Sequence, residues 1–269
     1  MAPSVAIEFP SRLEWFDSVD STNDVVAGWL RDGVPEVCVA AADEQNAGRG
    51  RSGRSWTAPS GAALLCSVGF RPTWLDPERA WRLAAIVSLA MADTAESEAG
   101  LPPGTIRLKW PNDLVIETDA VRKLAGVLGE TDGLGTADAR AIIGIGVNAA
   151  WPRATFPPDI AESMTSLAEA AQGIQIDRYA LLNGFIDRLA TRVEALREGH
   201  FDADGWSARQ LTNGRPVRLE QPDGRAETVQ ALGVDPGSGA LVVAGETPEA
   251  GPRSVLVGEI RHLRIGGLV

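Results

Sequence analysis

The chain has 269 residues, 44% of them hydrophobic and 23% charged, which is enough apolar material to bury a sizeable core and too much for a disordered segment. Lys plus Arg number 25 against 36 Asp plus Glu, a net charge of −11, which argues against non-specific nucleic-acid binding and against anchoring to anionic lipid but leaves room for a local basic patch. The two cysteines, Cys38 and Cys66, exclude a disulfide-rich scaffold and a Cys-ligated cluster, and the two histidines, His200 and His262, are too far apart in sequence for a His-rich zinc site.

Residues 1–10 read as a short lead-in that lacks the basic start and apolar run of a signal peptide. No stretch of about 18 apolar residues occurs, so no transmembrane helix is predicted and the expected address is the cytoplasm. A short strand over 13–17 is followed by Ser21-Thr22-Asn23-Asp24, a capping-box pattern opening a helix with Val25, Val26, Trp29 and Leu30 on its apolar face. Gly33 and Pro35 stop it. Buried strands are predicted over 37–41 and 62–70, separated by a Gly/Arg/Ser stretch without apolar period. Asp76-Pro77 starts a helix running to about Gly100, with Ala80, Leu83, Ile86, Val87, Ala90 and Met91 inward. Strands follow over 105–109, 114–117, 123–130 and 141–147. A second long helix spans 177–199, with Leu181, Phe185, Leu189, Val193 and Leu196 at helical spacing. Residues 206–211 end a last short helix. Beyond Asn213-Gly214 the pattern changes to short strands over 217–220, 228–234, 241–245 and 255–260, with turn signals at Pro222-Asp223-Gly224 and Asp235-Pro236-Gly237. The expected fold is α+β: a mixed β-sheet with helices packed on one side over residues 1–212, then a small β-barrel over 213–269.

Four segments carry candidate chemistry. In Gln45-Asn46-Ala47-Gly48-Arg49-Gly50-Arg51-Ser52-Gly53-Arg54-Ser55-Trp56, glycines permit close backbone approach and arginines offer bidentate donors to phosphate or carboxylate. A solvated turn, or an RNA-binding Arg/Gly segment, is the plainer alternative. Lys109-Trp110-Pro111-Asn112-Asp113 can aim a cation and a carboxylate into one cleft, or be a turn whose Asn and Asp bond their own backbone. Lys123-Leu124-Ala125-Gly126 opens a strand with a lysine that either meets a ligand or is solvated. Gly144-Ile145-Gly146-Val147-Asn148 has two glycines breaking a buried strand, for close approach to a ligand or for tight packing.

In this order, and with Ser21-Thr22-Asn23 ahead of them and Met164-Thr165-Ser166-Leu167 behind, these segments resemble the biotin protein ligases. The resemblance covers residues 13–211, and the C-terminal strands look like that family's small SH3-like domain. It implies a two-step reaction: biotin and ATP, with Mg²⁺, give biotinyl-adenylate and pyrophosphate, and a lysine on the biotin carboxyl carrier domain of an acetyl-CoA or acyl-CoA carboxylase then takes the biotinyl group. No Ser, Cys or His nucleophile is required. The resemblance implies that Ser21, Thr22, Asn23, Gln45, Gly48, Arg49, Gly50, Arg51, Lys123 and Gly126 contact biotin. It implies that Arg51, Arg54, Trp56, Lys109, Asn112, Asp113 and Asn148 contact ATP, with Arg51, Lys109 and Lys123 catalytic and Asp113 a metal ligand. The nearest alternative is a lipoate or octanoate ligase on a similar fold. Transcription-repressing relatives carry an N-terminal winged helix-turn-helix; only 20 residues precede Ser21 here, so no DNA binding is expected. Homodimerisation, or docking of the carrier domain, by edge-strand addition is compatible with such a sheet.

Overall fold

A computed structural model describes residues 9–262, apart from 222, 246, 248, 249, 257 and 258. The lead-in expected over 1–10 therefore lies almost wholly outside the described residues. Seven strands form the main sheet: β1 (Arg12–Phe16), β2 (Cys38–Ala42), β3 (Ala63–Phe70), β4 (Ile106–Lys109), β5 (Asp113–Glu117), β6 (Val121–Asp132) and β7 (Arg140–Asn148). Their order is β1-β2-β3-β7-β6-β5-β4, with β1 and β2 parallel and every other pair antiparallel. The parallel pair needs a crossover, which α1 (Thr22–Arg31) supplies.

Every residue of β2 and β3 is buried, and the strand period of two explains how. Cys38 and Ala40 meet Val26, Trp29 and Leu30 of α1 on one face. Val37, Val39 and Ala41 meet the larger core on the other, against α2 (Trp81–Glu98) and α4 (Arg178–Arg197). The helices thus cover both faces, not one as expected. A strand whose two sides are both apolar demands this, since a solvated face would leave half of its side chains in water.

The predicted helix from Asp76 divides. Pro77–Arg79 is a 3₁₀ turn capped by the Asp76 carboxylate, and α2 begins only at Trp81. The helix expected from 177 begins at Arg178, and Asp177 caps it, accepting from the Tyr179 and Ala180 amides. Ser21 does not cap α1 with its side chain, and no capping box forms. Asp24 instead binds the Arg49 guanidinium through both oxygens, a stronger charge-assisted pair than an amide bond. That pair holds the Asp24 carboxyl below its usual value.

After the short α3 (Leu167–Ala170) and α5 (Ala203–Ala208) come β8 (Pro216–Glu220), β9 (Ala226–Val234), β10 (Leu241–Val243), β11 (Arg253–Val255) and β12 (Glu259–His262). They form an antiparallel sheet in the order β11-β10-β9-β8-β12. Among the described residues the two edge strands do not pair, so the expected barrel is not closed. The strand predicted over 255–260 is instead the end of β11 and the start of β12, at opposite edges of that sheet. No helix among the described residues is long and apolar enough to cross a membrane.

Burial pushes the Cys38 thiol up to about 11 and the Cys66 thiol up to about 12. The reactive thiolate is therefore scarce at neutral pH. With Ellman's reagent at pH 8 the native chain is expected to react slowly and to release both thiols only in guanidinium. Two equivalents reacting within seconds in buffer would contradict this burial.

Candidate functional site

A cavity of about 800 Å³ opens at one end of the β3-β7-β6-β5 array. Its polar end is built by the first turn of α1. Ser21, Thr22 and Asn23 are all buried there, which is unusual for such residues and requires partners. The Gln45 side-chain oxygen accepts from the Thr22 amide at 2.8 Å and lies 3.1 Å from its hydroxyl. Ser67 Oγ is 2.7 Å from Thr22 Oγ1 and donates to Asn23 Oδ1 at 2.6 Å. A hydroxyl has one proton, so with Ser67 committed to Asn23, the Thr22 hydroxyl has two acceptors for its single proton, Gln45 Oε1 and Ser67 Oγ. Asn23 Nδ2 donates to Glu130 at 3.0 Å. A Cβ at Gly144 would stand 2.3 Å from Asn23 Oδ1, so this glycine makes room for the asparagine.

The Gly/Arg loop is a small hairpin folded over this end. Trp56 N bonds Gly48 O, Gly50 N bonds Arg54 O, and Arg49 and Ser55 form an antiparallel bridge. Gly48 does not line the cavity; a Cβ there would lie 2.3 Å from the Trp56 carbonyl, so it closes the hairpin neck. At the tip Ser52 and Gly53 adopt φ of 56° and 73°. Arg49 is latched to Asp24 and Glu130. Arg51, half-buried, reaches Asn112 Oδ1 at 3.4 Å. Burial lowers its pKa, with Asp113 opposing and Arg54 adding to the shift. The Trp56 ring lies on the floor made by β6 and β7, where a Cβ at Gly146 would be 2.6 Å away and one at Gly126 3.0 Å. Both glycines of that floor are thus required by the indole. Its buried Nε1 has no acceptor among the described residues.

The charged end comes from β4–β6. Lys109 ends β4 and Asp113 begins β5, directly opposite each other in the ladder. Asp113 sits 2.7 Å from Lys123 Nζ and 3.9 Å from Lys109 Nζ. Lys123 Nζ also stands 5.3 Å from the centre of the Trp56 ring, in cation–π range. Asn112 is pinned by Nδ2 to Val127 O at 2.7 Å. Arg54, Lys109 and Gly50 complete this wall. The result is one carboxylate facing Arg51, Lys109 and Lys123, a site suited to a polyanion.

The structure therefore gathers every expected site residue around one cavity except Gly48 and Asn148. Asn148 is fully buried behind it, and its Nδ2 bonds Thr165 O at 2.9 Å. That bond ties it to the 163–165 segment, which pairs with Lys123 through Ser163 O and Thr165 N at 2.7 and 2.9 Å, while its own buried Oδ1 has no partner among the described residues. Asn148→Ala is expected to cost about 1–3 kcal/mol of stability, the penalty for orphaning a buried carbonyl. Denaturant titration reads it, and an unchanged midpoint would refute this bracing role. Asp113, expected to ligate a metal, is already ion-paired, and no group of three or more His, Cys, Asp or Glu among the described residues forms a metal cage.

Ser67, Glu130 and Ser163 escaped the sequence-based reading. Ser67 had a signal: a lone hydroxyl in a fully apolar strand must bond something buried. Glu130 and Ser163 had none, because their roles arise from strands and loops far apart in sequence.

The Biotin/lipoate A/B protein ligase family matches residues 15–148. The chain is 34% identical over 258 residues to a biotin–[acetyl-CoA-carboxylase] ligase of Mycobacterium tuberculosis, covering 94% of this chain and 90% of that protein. It is 31% identical over 233 residues to a protein of the same name from Paracoccus denitrificans, covering 84% and 91%. Among solved structures, the biotin protein ligase from Aquifex aeolicus in complex with biotin and ATP superposes with a TM-score of 0.75 at 25% identity, covering 94% of this chain and 99% of that one.

Proposed function

This chain belongs to the biotin protein ligase family, and we propose that the single cavity described above performs both half-reactions of an ATP-dependent biotin–protein ligase. In the first, a biotin carboxylate oxygen attacks the α-phosphorus of ATP; the new P–O bond replaces the one to pyrophosphate, which leaves. In the second, the amine of a carrier-domain lysine attacks the acyl carbon and AMP departs. Both partners of the first step are anions, so cations must offset their repulsion. The observation that carries the reading is a cavity with a neutral hydrogen-bonding end and a cationic end.

At the neutral end, Ser21, Thr22, Asn23 and Gln45 offer donors and acceptors to a ureido ring, and Trp56, lying over Gly126 and Gly146, offers a flat apolar surface to the adenine. Arg51, Lys109 and Lys123 take the carboxylate and phosphates, with Arg54 and Asn112 beside them. Arg49 and Gly50 cover the ligand by closing the hairpin, which excludes water from a labile adenylate. Magnesium enters with ATP as its phosphate complex. Asp113, a carboxylate between two lysines, balances their charge, and beside the phosphates it also suits Mg²⁺, which takes one or two carboxylates plus phosphate oxygens. The acceptor is the carrier domain of a carboxylase, and the setting is the cytoplasm. We also take 1–212 as the catalytic domain and 213–269 as a smaller second domain, supported by two sheets that share no strand.

Biotin-dependent exchange of labelled pyrophosphate into ATP tests the function, run beside lipoate and octanoate. Exchange with biotin alone is expected; exchange with lipoate instead would overturn the substrate. Ser67→Ala is expected to weaken biotin binding about tenfold, because it unties Thr22 from Asn23, while leaving ATP binding unchanged. Calorimetric titration of each ligand decides it, and equal losses for both would refute the assignment of the two ends.

A further inference from the structure

The turn that carries Lys109, Asn112 and Asp113 is held from outside the main sheet, on both sides of Lys109. On one side, segment 209–211 lies along β4: Leu108 N bonds Arg209 O at 2.8 Å, and Leu211 N bonds Leu108 O at 2.7 Å. The Arg209 guanidinium locks this clamp, donating to Glu96 at 2.9 Å and to Ile106 O at 2.8 Å. On the other side, Trp110 Nε1 donates to Gly239 O at 3.1 Å. Gly239 belongs to the turn between β9 and β10, in the C-terminal sheet.

That turn is built to present a fixed acceptor. The Asp235 carboxylate takes the Gly237 and Ser238 amides at 3.2 and 3.0 Å, and Gly239 N bonds Asp235 O at 2.8 Å. From α2, Trp81 Nε1 reaches Gly237 O at 3.4 Å, and Arg82 reaches Pro236 O at 3.3 Å. Gly239 has φ of +73°, and a Cβ there would lie 2.8 Å from the Trp81 ring. Backbone conformation and space both demand glycine. Trp110 is buried and lines the cavity, whereas Gly239 does not touch it.

We propose that the β9–β10 turn is a positioning element of the active site, its Gly239 carbonyl fixing Trp110 and thereby the placement of Lys109 relative to Asn112 and Asp113. The C-terminal sheet then sets the ATP end of the cavity and leaves the biotin end alone. This rests on the function proposed above.

Three variants test it: Trp110→Phe, which keeps a ring and loses the N–H; Gly239→Ala, which displaces the carbonyl from outside the cavity; and the two together. ATP and biotin affinities are titrated calorimetrically, pyrophosphate exchange is followed, and melting temperatures report folding. Each single variant is expected to lower kcat/KM for ATP and ATP affinity about tenfold, with biotin affinity within about twofold of the parent. The double variant is expected to lose about tenfold as well, because both changes break one bond. A loss near a hundredfold in the double variant would overturn the proposal, as would parallel losses for biotin or singles that match the parent. Were Gly239→Ala to unfold, Trp110→Phe alone still reads the split between ATP and biotin. A parent that binds ATP but shows no biotin-dependent exchange would defeat the proposed function instead, and the ATP titrations would still decide this point.

Discussion

Arg51→Ala is expected to lower kcat/KM for biotin-dependent pyrophosphate exchange by about 10²–10³-fold, the usual cost of removing one fixed charge-stabilising donor from a water-poor site. Arg51 sits at the tip of the closed hairpin, half-buried, within reach of Asn112 and in the field of Asp113. Its guanidinium has already surrendered part of its hydration, so its charge acts strongly on an anion in the cavity. The hairpin neck, made by Gly48 and Trp56, does not depend on this side chain. Melting temperature should therefore hold while turnover collapses. A second consequence concerns the intermediate. With the tip weakened, biotinyl-adenylate is expected in solution in excess over biotinylated carrier domain, measurable by chromatography of quenched reactions. Exchange within threefold of the parent enzyme would remove Arg51 from the chemistry.

Lys123→Met should cost about 10²-fold or more in the same assay. Methionine keeps the apolar stem against Trp56 but deletes the charge that lies 2.7 Å from Asp113. The backbone of residue 123 keeps its bonds to Ser163 and Thr165, so the segment stays in place. Two explanations of the loss are separable. If Lys123 serves only to neutralise Asp113, then adding Asp113→Asn restores the balance of charge and the activity. If Lys123 meets the reacting anions, the double variant remains inactive. The second outcome is expected, because Lys109 Nζ also lies within 3.9 Å of Asp113 and supplies counter-charge. Recovery to within tenfold of the parent would reassign Lys123 to charge balance.

Local pattern was sufficient for much of this molecule. The apolar runs at 37–41 and 62–70 mark strands that the structure buries on both faces, and the spacing of Leu181, Phe185, Leu189 and Val193 marks the buried stripe of α4. Hydrophobic periodicity survives folding because each element must hide its own apolar side. The Gly/Arg hairpin and the turn from Lys109 to Asp113 were equally visible, since their composition is unusual in an acidic chain, and both line the one cavity.

What could not be read from the chain order concerns contacts between distant segments. Ser21 and Asp24 have the spacing of a capping box, yet Asp24 turns to Arg49, because a guanidinium brought close by the hairpin outbids a local amide. Asn148 carries the last position of a ligand-like motif, yet the neighbouring segment at Thr165 claims its amide. Gly144 and Gly146 looked alike in sequence, but one makes room for Asn23 and the other for Trp56. The hold of Gly239 on Trp110 joins residues 129 positions apart. Composition and spacing thus identify which segments gather cations, amides and hydroxyls at one cavity. Which of them face the cavity, and which brace it from behind, depends on long-range packing, where each buried polar group must find a partner wherever in the chain one happens to lie.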